Sequence, residues 1–282
     1  MTAGLVPFEL SWLGGATERH FRKLRPGIDE LPWGTLRSEQ YPPLLLERAR
    51  IAWTEAAYNE YCTALAFADL QRALLQAQVP IDLIGMASDF VVDEILHIEL
   101  TSRVAMELGG AAPYRLDLDA LQPVRKDCAP LELANELVVR LCCVGEAFSV
   151  PMLAGSMKSA SHPLTKGVLT RIVKDEAPHG QLGWHYLEWA QAFFSDAERK
   201  RLAGVAVTAL QDFSPLWQRL KSTAKDGVTS EVFLLSDVRE LGWMESSEYA
   251  QAARHAVRYE IAEPLASFGI VLPEDQLQAL LV

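Results

Sequence analysis

Two pentapeptides of this chain share one pattern of metal-binding side chains. The stretch from Asp93 to His97 reads DEILH and that from Asp175 to His179 reads DEAPH. Glu and His three residues apart lie about 60° apart around a helix and one turn along it, so both can bind one metal ion. One such pair arises easily by chance, but two that both follow an Asp are rare. The repeat therefore predicts a metal site shared by two helices.

Two further carboxylates are expected at the same height, because a dinuclear carboxylate site takes one Glu from each of two other helices. At about 1.5 Å of rise per residue, counting back from Glu94 through the preceding turn reaches Glu60. The same count from Glu176 reaches Glu146. Both lie in apolar sequence, where a carboxylate is costly to bury unless it is paired or ligated. The predicted metal ligands are Glu60, Glu94, His97, Glu146, Glu176 and His179.

Long helices are predicted around these residues. From Leu44 onward the chain is rich in Ala, Leu, Glu and Arg, with little β-branched alternation. Prolines and glycines divide it into helices at about 43–78, 80–108, 130–158 and 163–194, with a loop of about twenty residues before the third. Two helical hairpins joined by a longer crossover predict an all-α fold with a four-helix bundle at 43–194.

The bundle is predicted to lie in a single domain, 1–282, with an addition at each end. Residues 1–42 mix charges with prolines and show no sustained period, which predicts an irregular arm with room for a short helix. Residues 195–282 are predicted to form a C-terminal helical extension, opened by a capping box at Ser195, with helices at about 196–220, 236–242 and 246–267. Trp243 and Tyr259 of this extension could cover a pocket or form a dimer face.

With these six ligand positions, the chain resembles the ferritin-like di-iron carboxylate superfamily over residues 44–194. The Asp before each Glu makes it similar to the oxygen-activating branch, which includes bacterial di-iron monooxygenases, acyl carrier desaturases and ribonucleotide reductase small subunits. The resemblance implies two iron ions and O2 as co-substrate. Glu94 and Glu176 would be bridging ligands, and Glu60 and Glu146 terminal ones.

The resemblance also implies roles for the two aspartates. Asp93 would orient His179 and Asp175 would orient His97, because an outer carboxylate fixes the tautomer of a ligand imidazole. Thr101 lies where the radical tyrosine of a reductase small subunit would lie, so the chain departs from the reductase at that position.

Small and aromatic side chains lie one turn from the predicted ligands. They leave room for an organic substrate, although they would equally permit close helix packing. Pro151 and Pro178 each remove one helical hydrogen bond beside a ligand, so both helices are expected to bend or bulge there. The predicted substrate pocket consists of Ala64, Phe67, Phe90, Thr101, Cys142 and Ser149.

Composition limits the partners. The chain has 282 residues, half of them apolar, and a formal net charge of −11, which opposes nucleic-acid binding. No signal peptide opens the sequence, and no uncharged apolar run approaches the length of a membrane span, so no membrane partner is expected. Four cysteines without a CxxC motif suit neither a disulfide framework nor a rubredoxin-type site. These features predict a cytoplasmic protein.

The sequence thus predicts a non-heme di-iron oxygenase or oxidase that hydroxylates, desaturates or N-oxygenates a small organic molecule, for example in natural-product or lipid metabolism. Its partner would be an external electron donor, a ferredoxin or a flavoprotein reductase, or else peroxide, since no flavin, Fe–S or nicotinamide motif is present. Two alternatives stay open: a ferroxidase or iron-handling protein, and a helical scaffold with a structural metal. Fe/Mn or di-manganese occupancy suits the same hard ligands, and a homodimer is left open.

Overall fold

A computed structural model of the chain describes residues 4–118, 121, 127–220 and 224–282. Helices form most of these residues, and the only strands among them are two segments of three residues each. The predicted all-α class is confirmed. Part of the predicted loop at 111–130 lies outside the described residues.

Four long helices supply the predicted ligands. Three of the four begin with a proline, which is favoured in the first turn because it needs no hydrogen-bond acceptor for a backbone N–H. The second packs along the first and against the fourth, and the third packs against the fourth and, through its first segment, against the first. The helices are α2 (Pro43–Gln76), α3 (Ile81–Glu107), α4 (Pro130–Ser159) and α5 (Pro163–Ala190).

Helix α4 changes its winding beside the site. It is α-helical over Pro130–Val138, π-helical over Val139–Glu146 and α-helical again over Ala147–Ser159. The π-helical segment ends five residues before Pro151, and the α-helix Ala147–Ser159 continues through this proline, so the bulge expected at Pro151 is not found there. In α5 the α-helix continues through Pro178, so the expected bulge is not found there.

Helix α4 is also apolar enough, by length and composition, to cross a membrane. Its most apolar window has a mean hydropathy of 1.7, and 56% of that window is buried inside the protein. The core helix of a protein without a membrane span has the same properties. The absence of a membrane partner stays a prediction.

The N-terminal arm is more regular than expected. Its strand β1 (Leu5–Pro7) pairs antiparallel with β2 (Arg115–Asp117) from the predicted crossover loop. Helix α1 (Gly15–Leu24) follows, and two 3₁₀ turns lead to α2 at Ile28–Glu30 and Ser38–Gln40. A three-residue strand whose partner lies more than a hundred residues away leaves no periodicity in the sequence, which explains why the pattern predicted irregular structure.

The C-terminal extension is helical, as predicted. Ser195 caps its first helix by accepting a hydrogen bond from the backbone N–H of Glu198 at 3.1 Å. This helix packs against the π-helical segment of α4, and α9 packs against Ala147–Ser159. The helices are α6 (Asp196–Phe213), α7 (Pro215–Gln218), α8 (Leu235–Glu240), α9 (Ser246–His255, π-helical Ala256–Ala262 and Glu263–Ser267) and α10 (Glu274–Leu281).

The hydrophobic core consists of two clusters. Along α2, Trp53 belongs to one cluster and Phe67 to the other, and along α3, Leu96 and Phe90 are divided in the same way. The predicted ligand Glu60 lies between Trp53 and Phe67 in the chain. Buried polar side chains thus interrupt the apolar packing at one level of the helices.

Candidate metal centre

The structure brings the six predicted ligands together from α2, α3, α4 and α5. Both histidines and three of the four glutamates are buried: His97 and His179 are fully inaccessible, and Glu94 is 1% exposed. The exception is the Glu60 side chain, which is 16% exposed. A group of charged side chains at this depth needs compensating charge or ligation.

Two sets of four residues each could hold one metal ion. In either set, one ligand atom from each residue lies within 4.8 Å of the others. Glu94 and Glu176 belong to both sets, as expected for carboxylates that bridge two ions. We define position 1 as the set Glu60, Glu94, His97 and Glu176, and position 2 as the set Glu94, Glu146, Glu176 and His179.

The imidazoles face the carboxylates through Nδ1. His179 Nδ1 lies 2.8 Å from a Glu176 oxygen and 3.2 Å from a Glu94 oxygen, and His97 Nδ1 lies 3.1 Å from the other Glu176 oxygen. These contacts do not have hydrogen-bond geometry. Within the described residues, neither nitrogen of either imidazole and neither oxygen of Glu94 has a hydrogen-bond partner. Unpartnered buried polar atoms are rare, and their convergence here fits a cation between them.

The two aspartates lie behind the imidazoles in the crossed arrangement that the resemblance implies. Asp93 Oδ2 lies 3.5 Å from Nε2 of His179, and Asp175 Oδ2 lies 3.7 Å from Nε2 of His97. Both distances exceed those of good hydrogen bonds. Each carboxylate is placed to hold a proton on Nε2 and so to leave Nδ1 free for a metal.

Each aspartate is paired with an arginine that the sequence analysis missed. Arg171 Nε donates to Asp175 at 2.6 Å, and Arg25 Nε donates to Asp93. The Arg171 pair has the i, i+4 spacing of a helical ion pair, which is a readable signal. Arg25 lies in the arm, 68 residues from its partner, and leaves no signal.

Burial shifts the carboxyl groups of the site toward their neutral forms. It raises the pKa of Glu94 and that of Glu146 well above the ordinary range, and it also raises the pKa of Glu60. Burial acts on Glu176 in the same direction, but the two facing imidazoles outweigh it and lower the pKa of this carboxyl.

The imidazoles respond to the same unbalanced negative charge. Burial lowers the pKa of His179, but the opposite effect of the carboxylates of Asp93, Glu176 and Glu94 is larger and raises this pKa to about 12. His97 behaves likewise, with its pKa raised well above the ordinary value. Protons therefore supply the positive charge that a bound cation would otherwise provide.

The charge balance fits two divalent cations. Four glutamates and two aspartates surround the site, and the two arginines offset the two aspartates. The four remaining negative charges equal the charge of two divalent ions. Carboxylate oxygens with one imidazole per position are hard ligands that suit iron or manganese.

The predicted substrate pocket is placed differently by the structure. A cavity of about 100 Å³ lies beside Glu60, and of the six predicted lining residues it includes only Thr101. Phe67 and Phe90 instead pack on the His179 ring, with ring centroids 5.4 and 3.9 Å away. They close position 2 because the core cluster continues across the His179 side of the site.

The other three predicted pocket residues also lie outside this cavity. Cys142 is buried in the π-helical segment and packs near Gly183 of α5. Ser149 lies 3.2 Å from an oxygen of Glu146, to which its hydroxyl can donate. Ala64 is buried among the core residues of α2. For these residues, helix packing was the better of the two interpretations.

Comparison with protein families, curated proteins and solved structures found no match. Interpretation of the site therefore depends on its residues and their geometry.

Proposed function

We propose that this chain is a non-heme di-iron oxygenase or oxidase that uses O2 to hydroxylate, desaturate or N-oxygenate a small organic molecule. The observation that supports this most strongly is the pair of buried four-residue sets that share Glu94 and Glu176. A structural metal site needs only one closed set of ligands. Two adjacent positions bridged by carboxylates suit chemistry that involves two ions.

The proposal includes a ferritin-like arrangement of α2 to α5. Its support is the packing order, in which α2 contacts α3, α3 contacts α5, α5 contacts α4, and α4 returns to α2. Each helix contributes one carboxylate, and α3 and α5 each add a histidine three residues later. This is the ligand distribution of a di-iron carboxylate bundle.

When bound, the two irons would activate O2, with two electrons from a ferredoxin or a flavoprotein reductase; peroxide would replace both O2 and these electrons. The protein residues have separate tasks. Glu60 and Glu146 each belong to one set only, so either carboxylate can move without opening the other position. With metal bound, Asp93 and Asp175 would hold the Nε2 protons of the two imidazoles, and Phe67 and Phe90 would keep water from the His179 side.

The test is anaerobic loading with Fe(II), metal counting, and stopped-flow absorbance after mixing with O2. The native protein is compared with Glu60→Ala and with a matched control, Glu55→Ala, which removes an exposed carboxylate from the same helix. We expect two irons per chain, a transient visible band and O2 consumption in the native protein and in the control, and loss of the band in Glu60→Ala.

Other outcomes would replace the proposal. Repeated oxidation of Fe(II) with mineral formation, and no effect of organic compounds, would establish a ferroxidase. Two irons indifferent to O2, together with unfolding upon chelation, would leave a structural metal scaffold. Fewer than two irons in the native protein would contradict the dinuclear site itself.

A further inference from the structure

The two metal positions differ in what surrounds them. The cavity of about 100 Å³ adjoins position 1, because Glu60 of that set lines it. Thr101 also lines the cavity, and its hydroxyl donates to the backbone carbonyl of the ligand His97 at 2.7 Å. At position 2, the His179 ring is covered by Phe67 and Phe90. Position 1 therefore adjoins a space in which another molecule could lie, whereas aromatic rings cover the histidine of position 2.

The cavity is bounded by all four site helices and by one segment of the C-terminal extension. Helix α2 packs against the first segment of α4, Pro130–Val138, while Ala147–Ser159 packs instead against α5 and α9. The space between α2 and the end of α4 is the cavity. Its lining includes Ala56 and Glu60 of α2, Thr101 of α3, Ser156 of α4, Ile172 of α5, and Trp243.

The segment that ends in Trp243 is anchored from three helices. Trp53 Nε1 donates to the carbonyl of Leu241 at 3.1 Å, Thr165 donates to that of Glu240 at 2.7 Å, and Ser159 donates to that of Trp243 at 3.3 Å. Gly242 has φ +99°, and a Cβ there would lie 3.0 Å from the Trp53 ring. Trp243 thus forms a fixed wall of the cavity.

The lining determines what the cavity can bind. Alanine, leucine, isoleucine and tryptophan side chains dominate, and the one ionisable group is the carboxylate of Glu60. The Thr101 hydroxyl and the Trp53 indole N–H already donate to backbone carbonyls. No lysine, arginine or histidine lines the cavity to pair with an anion. An apolar cavity of about 150 Å³ binds benzene, which has six non-hydrogen atoms, so about 100 Å³ suits a group of roughly four.

We propose, on the basis of the proposed function, that the substrate presents a small uncharged alkyl group of about this size to position 1 through the cavity beside Glu60. Ala56 and Trp243 then determine specificity: Ala56 leaves the volume that the group fills, and Trp243 limits its length. A charged group is disfavoured within the cavity itself, because a mostly apolar lining without lysine, arginine or histidine would leave it desolvated and unpaired.

The experiment uses ¹⁹F NMR of the full-length chain with 1-fluoropropane as probe and fluoroacetate as its charged counterpart. We expect 1-fluoropropane to bind at least about tenfold more tightly than fluoroacetate. Loading with Mn(II), which is paramagnetic, should broaden the bound 1-fluoropropane signal strongly, because the cavity adjoins position 1.

Two variants on α2 provide the matched comparison. Ala56→Leu fills the cavity and should weaken 1-fluoropropane binding about tenfold or more, whereas Ala68→Leu makes the same change on an exposed face and should not. Trp243→Ala should admit the larger fluorobenzene. If Ala56→Leu fails to fold, the contrast between the two probes on the native protein still decides.

Equal binding of both probes, no binding of 1-fluoropropane, or equal binding to native protein and folded Ala56→Leu would overturn the inference. Probe binding requires neither iron nor O2. If only the inference is wrong, the probes do not bind as expected, but iron still binds and reacts with O2. If only the proposed function is wrong, the probes bind as expected, but the iron-loaded protein does not react with O2.

Discussion

Replacing Gly183 with alanine tests how α5 positions the π-helical segment of α4. A Cβ at Gly183 would lie 2.6 Å from Sγ and 3.0 Å from the backbone nitrogen of Cys143, and 3.1 Å from Cβ of Cys142. The sulfur could rotate away, but a backbone nitrogen cannot yield unless the whole segment moves. This segment ends at Glu146, so the substitution should disturb position 2.

Two opposing effects set the size of the change. Alanine is favoured over glycine in a helix interior by about 1 kcal/mol. Overpacking a core costs about 1–3 kcal/mol, and contact with backbone favours the upper end of that range. The net loss for Gly183→Ala should therefore be about 2 kcal/mol. Gly204→Ala on α6, where no atom lies within 4 Å of the added Cβ, should gain about 1 kcal/mol.

Urea unfolding of the metal-free proteins, followed by circular dichroism, measures this difference of about 3 kcal/mol between the variants. Metal counting after Mn(II) loading measures the effect on the site, and Gly183→Ala should retain less metal than Gly204→Ala. If the two variants are equally stable and bind equal amounts of metal, the close contact between α5 and the π-helical segment does not position Glu146.

Three further predictions concern charge. Arg25→Met should cost about 2 kcal/mol in urea unfolding because it leaves Asp93 buried without its ion pair, whereas Arg140→Met, which breaks an exposed pair, should cost less than about 0.5 kcal/mol. The affinity for Mn(II), measured by calorimetry, should rise between about pH 6 and pH 8. Glu94 and His179 have raised pKa values and so keep protons that the metal must displace. An affinity that does not change with pH would contradict this. Glu94→Gln should stabilise the metal-free protein at about pH 8, because a pKa that is raised in the folded state means that ionisation of Glu94 costs stability as pH rises. The same variant should lose the increase in unfolding temperature that Mn(II) causes in the native protein. An undiminished increase would show that Glu94 does not bind metal.

Local geometry explains how much of the site the sequence could predict. Helical rise and period are the same in every helix, so spacing alone placed Glu94 beside His97 and Glu176 beside His179. The count through each turn also found Glu60, because two antiparallel helices joined by a short turn keep a fixed register. The all-α class and the meeting of the six side chains were therefore readable from the sequence.

Tertiary packing decided what local spacing does not encode. Arg25 reaches Asp93 only because the arm folds back over α3, and β1 finds β2 across more than a hundred residues. The cavity lies beside Glu60 because α2 and the end of α4 separate while Trp243 arrives from a distant segment. Small residues such as Cys142 can line a cavity or allow close helix packing. Which of the two occurs depends on the positions of whole helices. Those positions result from many contacts between distant segments, so no single stretch of sequence determines them.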